Sequence, residues 1–474
     1  MNTTLKSLLW LASANGATKM LWALTLVLLM RGFGPEGYGF LATAWALGFV
    51  AASVADVGCG QAMLRAGSRH PSLIGAYLRK SLAITTLTSF PLLAMVGGCS
   101  LALLVAPVPA SLVMLALTTP FVDRFQTLCT VVPQIMGQIQ VYSVWRTTYF
   151  LTVLLAFFLI LHMGGSFQEV ILVFFGITLI FTVLYGRRIV RLIDEEQDQH
   201  TSTISVQQVL RESRPFFLIN LLTVGYYRVD VILLGFMDSD RAAGIYSAQC
   251  QIILLFYSVS SMILTVLYPN LYRGSHDRAL MQRHLNRIWR YLSLLAVLVT
   301  PPTMVYARDI MVSLGGQPFS TEYQGLIILA LLILVCPMMV AVDFLTVLDE
   351  FVARIRYAFM GIITVILGGI LVIPHCSVIG MASVAVVSYT LPGILSIRLL
   401  VRKHGFRVHA LYSTMAQIFL TSVPAFLIFL VPLPWFLCNV LGFMVGTLIC
   451  LTWVGFWDDD DKRLLARLMH RSYS

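Results

Sequence analysis

Between residues 8 and 456 the chain is built from apolar stretches separated by short polar turns. Each stretch is close to the ~20 residues a helix needs to cross the hydrocarbon core of a bilayer. That pattern constrains the fold strongly. With no water to satisfy backbone N–H and C=O groups, a stretch of this kind spans as a helix, which pairs them internally. The limits 8–30, 38–62, 80–104, 110–136, 146–163, 168–187, 214–237, 244–268, 288–307, 323–348, 356–374, 378–400, 411–431 and 435–456 predict about fourteen spans. The expected fold class is an all-α polytopic membrane protein. Charged residues make up 11% and hydrophobic residues 58% of the chain, against about 25% charged in soluble domains, so little chain is left for a soluble domain.

The net charge of +10 invites a nucleic-acid reading until the charges are placed. With the N-terminus on the cytoplasmic side, 26 of the 32 Lys and Arg fall on that side, Arg31, Arg241 and Arg308 on the other, and three lie within spans. This is the positive-inside distribution of a membrane protein. It predicts an even span count with both termini cytoplasmic, and no nucleic-acid partner. The apolar segment interrupted by Asn15 and Lys19 lacks a signal-peptide cleavage pattern and is read as the first span. Residues 276–290 are basic and amphipathic, and read either as a helix lying on the membrane surface or as the basic start of span nine.

Residues 188–213, with Asp194, Glu195, Glu196 and Asp198, are the one long connection and read as a cytoplasmic linker. They separate a six-span half, 1–187, from a second, 214–403. A helix pair at 404–456 and a cytoplasmic tail at 457–474 follow. The halves echo each other. Gly32-Phe-Gly-Pro-Glu-Gly-Tyr-Gly39 joins spans one and two, and Gly235-Phe-Met-Asp238 with Gly244-Ile-Tyr246-Ser247 joins spans seven and eight. An even number of spans per half makes these parallel repeats, whose interface is the usual transport site.

Lys19, Arg124 and Arg228 each sit near the middle of a span. A cation there costs at least ~2.5–3.5 kcal/mol, so it faces a cavity, a partner or an ion pathway. The pattern predicts a protein that holds or moves an anion within the membrane. The alternative is local neutralisation by Asp123 and Asp230, although residues one or two apart do not share a helix face. Asp56 and Asp343, in the inner thirds of spans two and ten, read as gate or coupling carboxylates or as buried carboxylates bonded to neighbours. Arg146 marks the inner mouth of span five as a headgroup-capturing residue or an orientation anchor. Asn15, Gln126 and Asn220 are candidate polar contacts. The eight cysteines form no CxxC pair and read as apolar packing residues. No metal, no cofactor and no catalytic group is expected: the histidines have no ligand spacing and no phosphate-binding Walker sequence is present.

Taken together, Arg31-Gly-Phe-Gly-Pro-Glu-Gly-Tyr-Gly-Phe40, Asp56-Val-Gly58, Arg228-Val-Asp230 and Gly244-Ile-Tyr-Ser-Ala248 make the chain resemble the polysaccharide flippases of the multidrug/oligosaccharidyl-lipid/polysaccharide superfamily, the O-antigen flippase type. The resemblance implies two six-helix bundles around an alternating-access cavity. It further implies a lipid-linked oligosaccharide carried across the bacterial inner membrane, with glycan-assembly proteins such as a polymerase as candidate partners. On that reading Arg124, Lys19 and Arg228 meet the pyrophosphate, because Arg donates bidentately and Lys supplies a point charge. Many relatives have twelve spans, and the last pair would be an addition. A drug/cation antiporter of the same superfamily is the first rival, and predicts a cavity dominated by carboxylates. A membrane-embedded glycan ligase or polymerase is a weaker one, because the longest outer loop, near 308–322, is too short for a catalytic domain. A purely structural scaffold is disfavoured by the cations.

Overall fold

The computed structural model describes the chain except at residues 1–2, 70–72, 104–109, 137, 197–203, 274–277, 408–415, 417–419, 421–435 and 454–474. The described residues are helices joined by tight turns: α1 (Thr3–Ala55), α2 (Cys59–Arg69), α3 (Ile74–Leu103), α4 (Ala110–Ile135), α5 (Ile139–His162), α6 (Phe167–Glu196), α7 (Val206–Tyr226), α8 (Val229–Met237), α9 (Asp240–Arg273), α10 (Arg278–Val305), α11 (Ala307–Gly315), a 3₁₀ turn (Gln317–Ser320), α12 (Gln324–Val347), α13 (Phe351–His404) and α14 (Phe436–Trp453). Six of them are long and apolar enough to cross a membrane, or seven if the bent pair α7–α8 counts as one span.

Helix α1 has 53 residues, about 80 Å at 1.5 Å per residue, more than twice the bilayer core. It is two spans joined at Gly34, whose φ of 66° and ψ of −175° interrupt the helix just before Pro35. Glycine takes that conformation without steric cost, and proline supplies no N–H to carry the ladder through. The break expected between spans one and two therefore lies within the glycine-rich motif. Helix α13, 54 residues long, is broken the same way at Ser377 (φ 43°).

Other boundaries differ from the sequence reading. Span two ends at Ala55, and Asp56-Val57-Gly58 forms a turn into α2. Val57 (φ 50°) and Gly58 (φ 79°) are both left-handed there. A side chain on Gly58 would lie 2.5 Å from the Phe217 nitrogen and 2.8 Å from the Ser213 carbonyl of α7, so only glycine permits that approach. Helices fill most of the 188–213 linker, since α6 runs to Glu196 and α7 begins at Val206. Residues 278–290 belong to the continuous helix α10. Span thirteen (411–431) and the 457–474 tail lie almost wholly outside the described residues.

The chain divides into two compact units. One comprises Met1–Leu255, Arg308–Gly325 and Ile355–Ser388; the other comprises Phe256–Ala307, Leu326–Arg354 and Tyr389–Ser474. In the first unit α1 packs on α4 and α5, and α4 on α6. Its core has an aromatic part, with Trp22, Trp45, Phe157 and Phe174. It also has an aliphatic part around Cys59, Met63, Leu128, Val132 and Ile189. In the second unit Leu294, Val297 and Leu451 tie α10 to α14, and Asn439 donates to the Tyr306 hydroxyl at 2.8 Å. The described cysteines Cys59, Cys129, Cys250, Cys336 and Cys376 are free thiols.

Candidate functional site

The first unit gathers charge around α1, α4 and α5. Lys19 is exposed on α1, and Arg146 of α5 acts on it electrostatically. Arg146 is not at a helix mouth: α5 begins at Ile139, which puts this residue about two turns inside the helix. Its guanidinium lies 5.4 Å from the centre of the Phe150 ring. Phe150 packs edge-on to Trp22 at 5.7 Å, and Trp22 lies one turn along α1 from Lys19. Tyr149, hydrogen-bonded to Thr178 at 3.0 Å, feels both Asp123 and Arg146. Two like charges facing each other repel, and an anion between them relieves the repulsion. The Asn15 side chain lies outside the described residues.

Arg124, half-buried on α4, acts on Asp56 across the unit. Asp56 is 6% exposed and sits in the α1–α2 turn, where the Gly60 N–H also reaches it. The carboxylate that Arg124 acts on thus lies in the α1–α2 turn and not on its own helix. Gln126, 1% exposed, meets no hydrogen-bond partner at either amide atom among the described residues.

Arg228 does not lie inside a continuous span. It caps α8 at a break, with φ −132° and ψ −23°, and α7 and α8 are bent by 46° there. The guanidinium stands 4.9 Å over the Phe49 ring. Across this break Arg228 acts electrostatically on Asp230. Asp230, 5% exposed, accepts from the Tyr246 hydroxyl and the Val231 N–H, both at 2.8 Å. Beside it Tyr226 donates to the Ser388 carbonyl at 2.8 Å.

Asp343 belongs to the other unit. It pairs with Arg354 at 3.5 Å across the α12–α13 turn, where Arg354 also bonds Thr346. On the same turn Glu350 meets Lys403 at 2.6 Å and His404 at 3.0 Å. The Lys403 ammonium, and His404 with it, hold the Glu350 carboxyl below the usual carboxylate range.

Sequence reading did not single out Trp22 or Phe49, which are ordinary apolar-helix residues by pattern, and named Tyr246 only within the Gly244 motif, not as the hydroxyl that bonds Asp230. It also missed the break at Arg228, for which Gly225 is the one local signal.

A family model described as "Polysaccharide biosynthesis protein" matches residues 4–275. No curated protein sequence matches. Among solved structures, the lipid II flippase MurJ in an inward closed conformation superposes with a TM-score of 0.77 at 15% identity, over 94% of this chain and 98% of that chain. An inward-facing multidrug resistance MATE family transporter of the MOP superfamily gives 0.66 at 13% identity, over 84% and 96%. A MOP superfamily transporter from Pyrococcus furiosus, titled as having a binding pocket of reversed polarity, gives 0.56 at 12%, over 84% and 96%. At these identities the likeness is one of fold.

Proposed function

We propose that this chain, which belongs to the polysaccharide biosynthesis protein family, is a flippase for undecaprenyl-pyrophosphate-linked oligosaccharide. It would move the headgroup from the cytoplasmic to the periplasmic leaflet of a bacterial inner membrane, for O-antigen, capsule or exopolysaccharide synthesis. The observation that carries this reading is the electrostatic action of Arg146 on Lys19, with the partly exposed Trp22 and Phe150 packed edge-on nearby. A phosphate sits favourably between such cations, and aromatic faces suit the first sugars.

In this reading Lys19 and Arg146 form the entry for the pyrophosphate. Arg124, which acts electrostatically on Asp56, meets a phosphate oxygen, and Arg228 assists from the second six-span half. Asn15 adds a polar contact. The two halves, 1–187 and 214–403, then rock so that the headgroup faces the other leaflet while the lipid tail stays between helices. Asp123 and Asp230 act as gate or coupling carboxylates on this path, and Asp343 plays such a part within its own unit, where it holds Arg354. No bond is made or broken, so no catalytic group or cofactor is needed. Both termini would be cytoplasmic, and glycan-assembly proteins would take the product.

The rival antiporter reading needs exposed carboxylates for a cationic drug, whereas Asp56 and Asp230 are buried and Asp230 is held by the Tyr246 hydroxyl. The test is flipping of a fluorescent lipid-linked oligosaccharide in reconstituted vesicles. Lys19→Ala and Arg124→Ala are expected to slow it about 10- to 100-fold each, equivalent to about 1.4–2.8 kcal/mol. Normal rates in both variants would remove the cation argument.

A further inference from the structure

We propose that the acidic run Asp458-Asp459-Asp460-Asp461 docks on a basic stripe at the start of α10, a clasp that the chain makes with itself. The place where α14 packs defines the stripe. Leu451 of α14 lies against Leu294 and Val297 of α10, and Asn439 donates to the Tyr306 hydroxyl at 2.8 Å. Rising numbers on α14 meet falling numbers on α10, so the two helices run antiparallel. Residues about four, seven and eleven apart share a helix face. The face of α10 that carries Leu294 therefore continues toward the start of the helix as Arg290, Arg287 and Arg283. Arg283 and Arg287 are exposed, and Arg290 is half-buried.

Neighbouring groups add to the positive charge there. Arg283 and Arg287 both act electrostatically on His284. Arg278 donates to the Gly405 carbonyl. Gln282 donates to the Arg407 carbonyl at 3.0 Å and accepts from the Arg407 N–H at 2.8 Å. These bonds seat the end of α13, with Arg402, Lys403 and Arg407, beside the start of α10. The helices α10, α13 and α14 contain no acidic residue. Glu350, at the cap of α13, meets Lys403 and His404. The N-terminal end of α10 contributes its own partial positive charge.

The chain leaves α14 beside this stripe. Trp453 ends α14, two residues past Leu451 and so about level with Leu292. Arg287 and Arg283 are then about 7.5 and 13.5 Å further along the α10 axis, at about 1.5 Å per residue. Residues 454–474 lie outside the described residues, and their sequence is enough to establish the reach. Asp458 and Asp461 are five and eight residues beyond Trp453. That is about 17–28 Å of extended chain, or about 7.5–12 Å of helix, and either covers the span to the arginines. Four aspartates and a row of arginines match in sign, and acidic runs of this kind often serve as interaction segments.

The effect of the clasp follows from its place. It pins the end of α14 to the helix it packs on, and it covers the stripe against other polyanions. Because the contact is ionic and lies at the surface, it weakens as salt rises. It does not depend on what the chain transports.

The test uses the purified full chain in phosphatidylcholine nanodiscs, where no anionic headgroup competes, and endoproteinase Lys-C, which cuts after lysine. Cleavage after Lys462, the residue that follows the acidic run, is timed by intact mass. Docking protects this bond, so Arg283→Gln with Arg287→Gln should speed its cleavage about tenfold at low salt. Salt at about 0.5 M should bring the wild type to the variant's rate. Arg283→Asp with Arg287→Asp should also be cut fast. Adding Asp459→Arg with Asp460→Arg should then restore slow cleavage, a gain that misfolding does not produce. Equal rates in the wild type and in Arg283→Gln/Arg287→Gln at low salt would overturn the proposal and leave the stripe to anionic lipid. So would a charge-exchanged chain that is cut as fast as Arg283→Asp/Arg287→Asp.

Discussion

Gly39 and Gly244 meet backbone to backbone. A Cβ on Gly39 would fall on the Asp240 carbonyl and against the Gly244 nitrogen, and a Cβ on Gly244 would fall on the Pro35 carbonyl and 3.0 Å from the Gly39 nitrogen. The two glycine motifs that echo each other in sequence are thus each other's contact surface. Arg31 reinforces the seam by donating to the Leu314 carbonyl at 3.3 Å, and Tyr38 packs on Phe319 at 6.2 Å. Gly39→Ala is expected to cost about 1–3 kcal/mol of stability, because the backbones must separate. Adding Gly244→Ala should cost less than it does alone, since the gap is already open. Thermal unfolding of the two single variants and the double variant checks this. Additive losses would mean that the glycines do not share one contact.

Lys19 and Arg146 repel each other, so removing either should separate stability from transport. Lys19→Met is expected to leave the melting temperature unchanged or raised, while flipping falls about tenfold, or about 1.4 kcal/mol. A Lys19 that served only to hold the fold would instead lower the melting temperature when replaced.

Arg228 over Phe49 is a cation–π contact in a helix break. Phe49→Leu should cost about 1–2 kcal/mol in the wild type, and much less when Arg228 is already leucine. Equal costs in the two backgrounds would show that Phe49 acts only as a packing residue.

Glu350 carries the pH dependence. Its folded carboxyl is held below the ordinary glutamate value by Lys403 first and His404 second. A depressed acid contributes stability that is fully present above its unfolded pKa, about 4.3. That stability is lost as pH falls through the depressed folded value. Because Lys403 is 60% exposed, solvent screening keeps the gain to about 0.5–1 kcal/mol. Glu350→Gln should therefore lower thermal stability at pH 7, and the difference from wild type should shrink steadily below pH 4. A difference that persists in acid would point to packing at Glu350 and away from charge.

Much of the architecture was legible before any coordinates. Apolar stretches of spanning length dictate helices because nothing else satisfies the backbone in lipid. Gly34-Pro35 dictates a break because one residue tolerates the turn and the next cannot continue the ladder. The break at Arg228 was not legible, since the stretch around it is proline-free and carries only Gly225 as a breaking residue, which a spanning helix tolerates. The early end of span two was half-visible in Asp56-Val57-Gly58, which read as a motif without reading as a turn.

By itself the sequence determined that this chain is an all-helical membrane protein carrying Lys19, Arg124 and Arg228 at depth, because composition and length alone settle what lipid permits. Only the tertiary structure decided which groups act on each other: Arg146 on Lys19, Arg124 on Asp56, and Arg228 on Asp230 while it stands over the Phe49 ring. The reason is physical. A soluble helix records its inward face as an apolar stripe, whereas a spanning helix is apolar on every side, so the direction of a lone charge is set by the neighbours that pack around it.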